Sequence, residues 1–158
     1  DALILAGADV ATDGETVRVT RKDLKNFTFD ITNCPDIAPP LAVLATACSG
    51  RSVLKGAGRL VAKESNRAET ICRALNRIGA RVSYSGNELI IEGVKSLTGG
   101  ESPAFNDHRI AMALATASVI SETPVVIEGY ECVNKSYPGF ADDFRKLGGT
   151  MILTNKPG

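Results

Sequence analysis

Tryptophan is absent, histidine occurs once, and aromatic residues make up only 5% of the chain. So few rings leave no platform for stacking nucleobases. A single histidine beside four cysteines, none of them in a CxxC pair, excludes an ordinary zinc site. Net charge is zero, with 18 basic and 18 acidic residues, so the basic surplus of a nucleic-acid binder is missing. No apolar run reaches the ~18 residues of a membrane span, and no secretory signal opens the sequence. Cys34, Cys48, Cys72 and Cys132 read as free thiols, which fits a reducing, cytoplasmic setting. Cys48 and Cys72 fall in helical apolar patterns and read as small buried hydrophobes.

What remains is a chain of 158 residues, 44% hydrophobic. That suits one globular domain or two small ones, with a core that hides roughly 70% of the unfolded surface. Its most informative stretch is Asn106-Asp107-His108-Arg109, which runs straight into the apolar segment from Ile110 to Ile120. A segment apolar on every side predicts a buried helix. Asp107 is suited to cap its free N–H groups. Arg109 opposes the helix dipole in that first turn and makes sense beside an anion, either a bound ligand or a nearby carboxylate.

The chain repeats itself. Gly7, Gly79 and Gly148 each follow a helical apolar pattern and precede a strand-like segment, at intervals of 72 and 69 residues. Each predicts a helix closed by a C′ glycine and followed by a strand. Val43-Leu44-Ala45-Thr46-Ala47 recurs as Ala113-Leu114-Ala115-Thr116-Ala117. Asp36 and Asp107 precede these two segments, and Pro39-Pro40 sits in the first helix's opening turn, where proline is tolerated. One unit therefore contains a strand near Phe27–Ile31, a buried helix from Asp36 to Cys48 and a strand near Ser52–Leu54. An amphipathic helix from near Ser65 to Ile78 follows, with Ala68, Ile71, Cys72, Leu75 and Ile78 on one face. A hairpin across Ser85-Gly86-Asn87 ends the unit. Residues 1–21 read as the end of a truncated unit with a hairpin at Asp13-Gly14, 22–93 as a whole unit, and 94–158 as a second, nearly whole one. The chain thus reads as a fragment that begins mid-unit.

Lys63-Glu64-Ser65-Asn66-Arg67 is expected to start the amphipathic helix of the whole unit, and Asn134-Lys135-Ser136-Tyr137-Pro138 to hold the same place in the next. The helix starts should share one end of the domain. That end gathers Asp36, Lys63, Glu64, Arg67, Asp107, His108, Arg109 and Lys135, a mixed but mainly cationic set suited to a polyanionic small substrate. Each piece alone also has an ordinary reading: Asp36 as a helix cap, His108 as a packing residue, the Lys63–Arg67 run as a solvated helix start. Arg51, Arg73 and Arg77 read as surface charges.

These motifs together resemble the EPSP synthase (3-phosphoshikimate 1-carboxyvinyltransferase) family, in its C-terminal part. The match rests on Cys34-Pro35-Asp36 to Pro40, Lys63 to Arg67, Asn106 to Ala113, and Lys135 to Pro138, with order and spacing agreeing over essentially the whole chain. The resemblance implies an α/β fold of repeated βαβαββ units, an inside-out barrel-like arrangement of buried helices surrounded by sheets. It implies transfer of the enolpyruvyl group of phosphoenolpyruvate to the 5-hydroxyl of shikimate 3-phosphate, with release of phosphate, and no cofactor or metal. It also implies a monomer in the cytoplasm, whose site is completed by an N-terminal domain that this chain lacks, so the chain alone is expected to be inactive. By the same resemblance Asp36 binds the shikimate hydroxyls and acts as base, and Lys63 holds the ring. Glu64 relays the methylene proton, Arg67 and Arg109 clamp the phosphoenolpyruvate carboxylate, His108 lines the site, and Lys135 faces phosphoenolpyruvate and shares in the proton transfer as a third catalytic residue. Asn66 stands where the family usually has aspartate, and Arg59 where some members have asparagine. Two alternatives stay open at this level: the sister transferase acting on UDP-N-acetylglucosamine, and a non-catalytic anion-binding domain on the same fold.

Overall fold

A computed structural model describes residues 1–61 and 66–154. Helix α1 (Ala2–Leu5) leads into an antiparallel hairpin of β1 (Asp9–Thr12) and β2 (Val17–Thr20). The next unit is β3 (Thr28–Asp30), α2 (Ala38–Thr46), β4 (Arg51–Lys55), α3 (Arg67–Arg77), β5 (Arg81–Ser85) and β6 (Glu88–Glu92). Its strands form one sheet in the order β3-β4-β6-β5, parallel between β3 and β4 and antiparallel elsewhere. The last unit is β7 (Gly100–Pro103), α4 (His108–Ala117), β8 (Val125–Glu128) and α5 (Phe140–Lys146), with β7 and β8 parallel. The order βαβαββ is therefore complete once, preceded by its last three elements and followed by its first four.

The repeat has a local cause. Gly7, Gly79 and Gly148 have φ of 90°, 96° and 93°, so each of the three helices ends on a left-handed residue that turns the chain. After Gly7 and Gly79 a strand follows, as expected. After Gly148 it does not, because residues 149–154 form no strand. The reason is pairing. In the complete unit β5 is held only by β6, and no counterpart of β6 follows among the described residues, so an isolated strand has nothing to satisfy its backbone. The first strand of the last unit lies at Gly100–Pro103.

Helix α3 buries Ala68, Ile71 and Leu75 against the sheet and its neighbours, with Ile78 buried just beyond its end. The three larger side chains each contribute roughly 1.5–3 kcal/mol of burial. Helices α2, α3 and α4 meet around Pro39, Ile71, Leu75, Ile110 and Leu114. Helix α2 is buried on nearly all sides, as its composition demands. Helix α4 is not buried throughout: Thr116 is exposed, and the last residues of the apolar segment form a 3-10 turn, Ser118–Ile120, with Val119 69% exposed. A smaller cluster of Ala104, Ala111, Cys132 and Val133 pins the 3-10 helix Tyr130–Lys135 against α4. Burial pushes the Cys72 thiol up to about 11 and raises those of Cys48 and Cys132, so these thiols stay neutral and behave as small hydrophobes.

The hairpin of β5 and β6 closes under the end of α2. Gly93 N–H donates to the Gly50 carbonyl at 2.9 Å, and Val94 N–H donates to that of Thr46 at 2.9 Å. A Cβ on Gly93 would stand 1.6 Å from the Cys48 carbonyl oxygen. Gly93→Ala is therefore expected to lower the unfolding free energy by about 1–3 kcal/mol. Urea denaturation checks this, and an unchanged midpoint would show that the hairpin does not dock so closely.

Candidate active site

The starts of α2, α3 and α4 converge. Asp36 lies in a 3-10 turn, Pro35–Ile37, directly ahead of α2, whose N-cap position is taken by Ile37. Its carboxylate reaches sideways instead. Oδ1 accepts from Arg67 Nη1 at 2.9 Å and Oδ2 from Arg109 Nη2 at 3.0 Å. One carboxylate thus holds two guanidinium groups, one through each oxygen, and the simple capping reading of Asp36 fails on geometry.

Asp107 does cap its helix. Its Oδ1 accepts the Arg109 backbone N–H at 3.0 Å, while Oδ2 accepts from Arg67 Nε at 2.8 Å. Arg67 is held between the two aspartates. Exposure grades outward: Arg67 and Asp107 side chains are at 0%, Arg109 at 28% and Asp36 at 49%. A fully buried guanidinium needs this double neutralisation, because an unpaired charge in a low-dielectric interior costs several kcal/mol. The carboxylate expected beside Arg109 is Asp36, and His108 Nε2 contacts Arg109 Nη1.

Asn66 occupies the N-cap of α3, where its Oδ1 accepts the Glu69 N–H at 3.3 Å. It serves as a cap without adding a third carboxylate near Arg67. Arg59 is exposed on the 3-10 helix Ala57–Leu60. Lys135 does not open α5. It closes the 3-10 helix Tyr130–Lys135, five residues ahead of Phe140, and its Nζ donates to Asn106 Oδ1 at 2.7 Å. The structure therefore brings Asp36, Arg67, His108 and Arg109 together and sets Lys135 beside the residue that precedes Asp107. Lys63 and Glu64 lie outside the described residues. Arg51, Arg73 and Arg77 are all exposed, Arg51 in a 2.6 Å pair with Glu92. The sequence pattern placed Asp107 at the charged end without a site role of its own and assigned none to Asn106. The spacing of Asp107 from Asp36 pointed to it, whereas nothing in the sequence pointed to the Asn106–Lys135 contact.

The family model for EPSP synthase (3-phosphoshikimate 1-carboxyvinyltransferase) matches residues 1–144. The chain belongs to the EPSP synthase family. A family relative from Clostridium kluyveri, named 3-phosphoshikimate 1-carboxyvinyltransferase, is 44% identical over 145 residues, covering 92% of this chain and 34% of its own length. One of the same name from Clostridioides difficile is 40% identical over 146 residues, covering 92% and 33%. The chain thus spans about a third of the length of the curated EPSP synthases it matches. EPSP synthase from Acinetobacter baumannii superposes with a TM-score of 0.82 at 25% identity, covering 98% of this chain and 39% of that one. The enolpyruvyl transferase NikO from Streptomyces tendae, at 19% identity and a TM-score of 0.72 over 94% of this chain and 34% of that one, shares the fold. The α/β architecture of the EPSP synthase family is therefore that of this chain. Among the described residues, no helix is long and apolar enough to cross a membrane.

The buried pair makes a prediction about stability. Asp107→Leu removes both the cap and one counter-charge of Arg67, and is expected to cost about 3–5 kcal/mol. Asp107→Asn keeps an acceptor for the cap and should cost less. Chemical denaturation of the variants decides. A loss below ~1 kcal/mol for the leucine variant, the scale of a surface ion pair, would mean that Arg67 is not enclosed as described.

Proposed function

We propose that the protein containing this chain transfers the enolpyruvyl group of phosphoenolpyruvate to the 5-hydroxyl of shikimate 3-phosphate. The observation that carries the reading is the seat of the Asp36 carboxylate, gripped through both oxygens by Arg67 and Arg109. Two guanidinium groups aimed at one carboxylate form a carboxylate-binding fork. A substrate carboxylate takes over those guanidinium edges, and its arrival releases Asp36 to accept the proton of the attacking hydroxyl.

The hydroxyl oxygen bonds to C2 of phosphoenolpyruvate while the methylene carbon gains a proton, giving a tetrahedral intermediate. Breaking the C2–phosphate oxygen bond and removing a methyl proton then release phosphate and restore the double bond. By the family resemblance, Glu64 carries the carbon-bound proton in both directions, Lys63 holds the shikimate ring, His108 lines the site and Lys135 faces phosphoenolpyruvate. Fixed charges do much of the work, because they are already oriented when charge develops. Residues 1–21, 22–93 and 94–158 act as successive units of the C-terminal domain, and an N-terminal domain completes the site in a cytoplasmic monomer. The chain's share of its relatives' length, about a third, supports a contribution to the site from another part of the full-length protein.

Phosphate release by the full-length protein, dependent on both phosphoenolpyruvate and shikimate 3-phosphate, tests the reading. The 158-residue chain by itself should release none. Arg109→Lys cannot form the fork and is expected to raise the KM for phosphoenolpyruvate about tenfold, the worth of one charge-assisted hydrogen bond. The KM for shikimate 3-phosphate should hardly move. An unaltered phosphoenolpyruvate KM would remove Arg109 from the clamp, and a full-length protein silent with both substrates would sink the assignment.

A further inference from the structure

Phe105 and Asn106 stand out in the backbone. Both lie in the left-handed region, at φ 54° and 56°, and they are the only non-glycine residues to do so among the described residues. Asp107 N–H donates to the Ala104 carbonyl at 3.0 Å, so the pair forms the centre of a four-residue turn of the I′ pattern. Asparagine tolerates this conformation, but phenylalanine does not. A strained residue persists only where its surroundings over-determine it. Here the Phe105 ring packs against the main core and carries the Arg73 guanidinium 4.8 Å from its centroid.

The strain has a visible product. The turn aims Asn106 Oδ1 at Lys135 Nζ, 2.7 Å away. The backbone of Lys135 is fixed from the other side, since Cys132 and Val133 are buried against Ala104 and Ala111. A lysine side chain has a long flexible stem and a head group with no preferred direction. Here the root of the stem and its charged tip are both tied to the segment that opens α4.

We propose that Asn106 is a positioning residue for Lys135, its amide oxygen fixing the ammonium group at the site through the strained Phe105–Asn106 turn. The effect on rate rests on the enolpyruvyl-transfer reading, but the contact itself does not. Asn106 acts through Lys135 and need not touch substrate.

Two substitutions in the full-length protein separate positioning from a merely structural role. Asn106→Gly relieves the backbone and deletes the acceptor, whereas Asn106→Asp keeps an acceptor oxygen and tolerates the left-handed conformation. A structural role predicts that glycine is harmless or stabilising. Positioning predicts that the glycine variant keeps or raises Tm while kcat for phosphate release falls about tenfold or more, with both KM values little changed. The aspartate variant should recover most of that loss. Alongside, acetic anhydride labelling read by mass spectrometry should show Lys135 reacting several-fold differently in the glycine variant and as in the wild type in the aspartate variant, with the other lysines unaffected. Unchanged labelling of Lys135 in the glycine variant overturns the contact, and altered labelling with an unchanged kcat overturns its role in the reaction. Were the wild type silent towards both substrates, the labelling would still decide the contact, and the failure would lie with the reading of function.

Discussion

Arg67 is a cation with no exposed surface, and the arrangement of the helix starts follows from having to neutralise it. The two carboxylates that meet it among the described residues come from different places in the chain. Asp36 comes from the turn ahead of α2, and Asp107 from the cap of α4. A buried charge tolerates little displacement of its partners, because attraction and desolvation are both large in a poorly screened interior. Fixing Arg67 at the first position of α3 therefore fixes the other two helix starts against it. The apolar faces of α2, α3 and α4 supply most of the energy of packing. The ion triad supplies register, since shifting any of the three helices by a turn would strand a charge.

The same geometry explains why the site points outward on one side only. Asp107 uses one oxygen for the α4 cap and the other for Arg67, and its side chain is fully buried. Asp36, itself about half exposed, touches Arg67 with one oxygen and extends the other to the partly buried Arg109. Charge is thus handed from a buried cation through an exposed anion to an accessible cation. Under the proposed reading, the carboxylate of phosphoenolpyruvate meets Arg109 first and reaches Arg67 only by displacing or sharing Asp36.

Much of this was legible in the sequence because it rests on local rules. C′ glycines, the i, i+3, i+4 pattern of α3 and the Asp107 cap all act within a turn or two of chain. The period of the repeat then carries those local readings over the whole length, and the family motifs add the chemistry. What was not legible is long-range or conformational. The Arg67–Asp107 bond spans 40 residues, and no pattern distinguishes it from a pairing of Arg67 with a nearer acid. The left-handed Phe105 contradicts its own preference and is set by surrounding packing. The strand expected after Gly148 failed because strand formation depends on a partner, which a propensity reading of one segment does not include. Val119 is exposed because the apolar pattern continues after the helix has tightened into a 3-10 turn.

The two long units show how one backbone plan carries two kinds of chemistry. Asp36 and Asp107 hold equivalent places 71 residues apart, yet one is exposed and grips two guanidinium groups while the other is buried as a cap. The difference begins in the approach to each helix. Pro35 and the two prolines of α2 favour a 3-10 turn that carries Asp36 ahead of its helix. The left-handed pair before Asp107 delivers it directly to the N-cap. The second helices diverge as well. Helix α3 opens with Asn66 as its cap and the buried Arg67, whereas α5 opens after Gly139 with Phe140, which packs edge-on to Tyr137 and stacks on Phe144. An apolar anchor in that position removes any need for a second buried cation. Besides Arg109 at the start of α4, the cation of the last unit that lies near these helix starts is Lys135, one 3-10 helix ahead of α5. Repetition of the fold thus sets where side chains can meet, and departures from it at the helix starts decide which of them carry charge into the site.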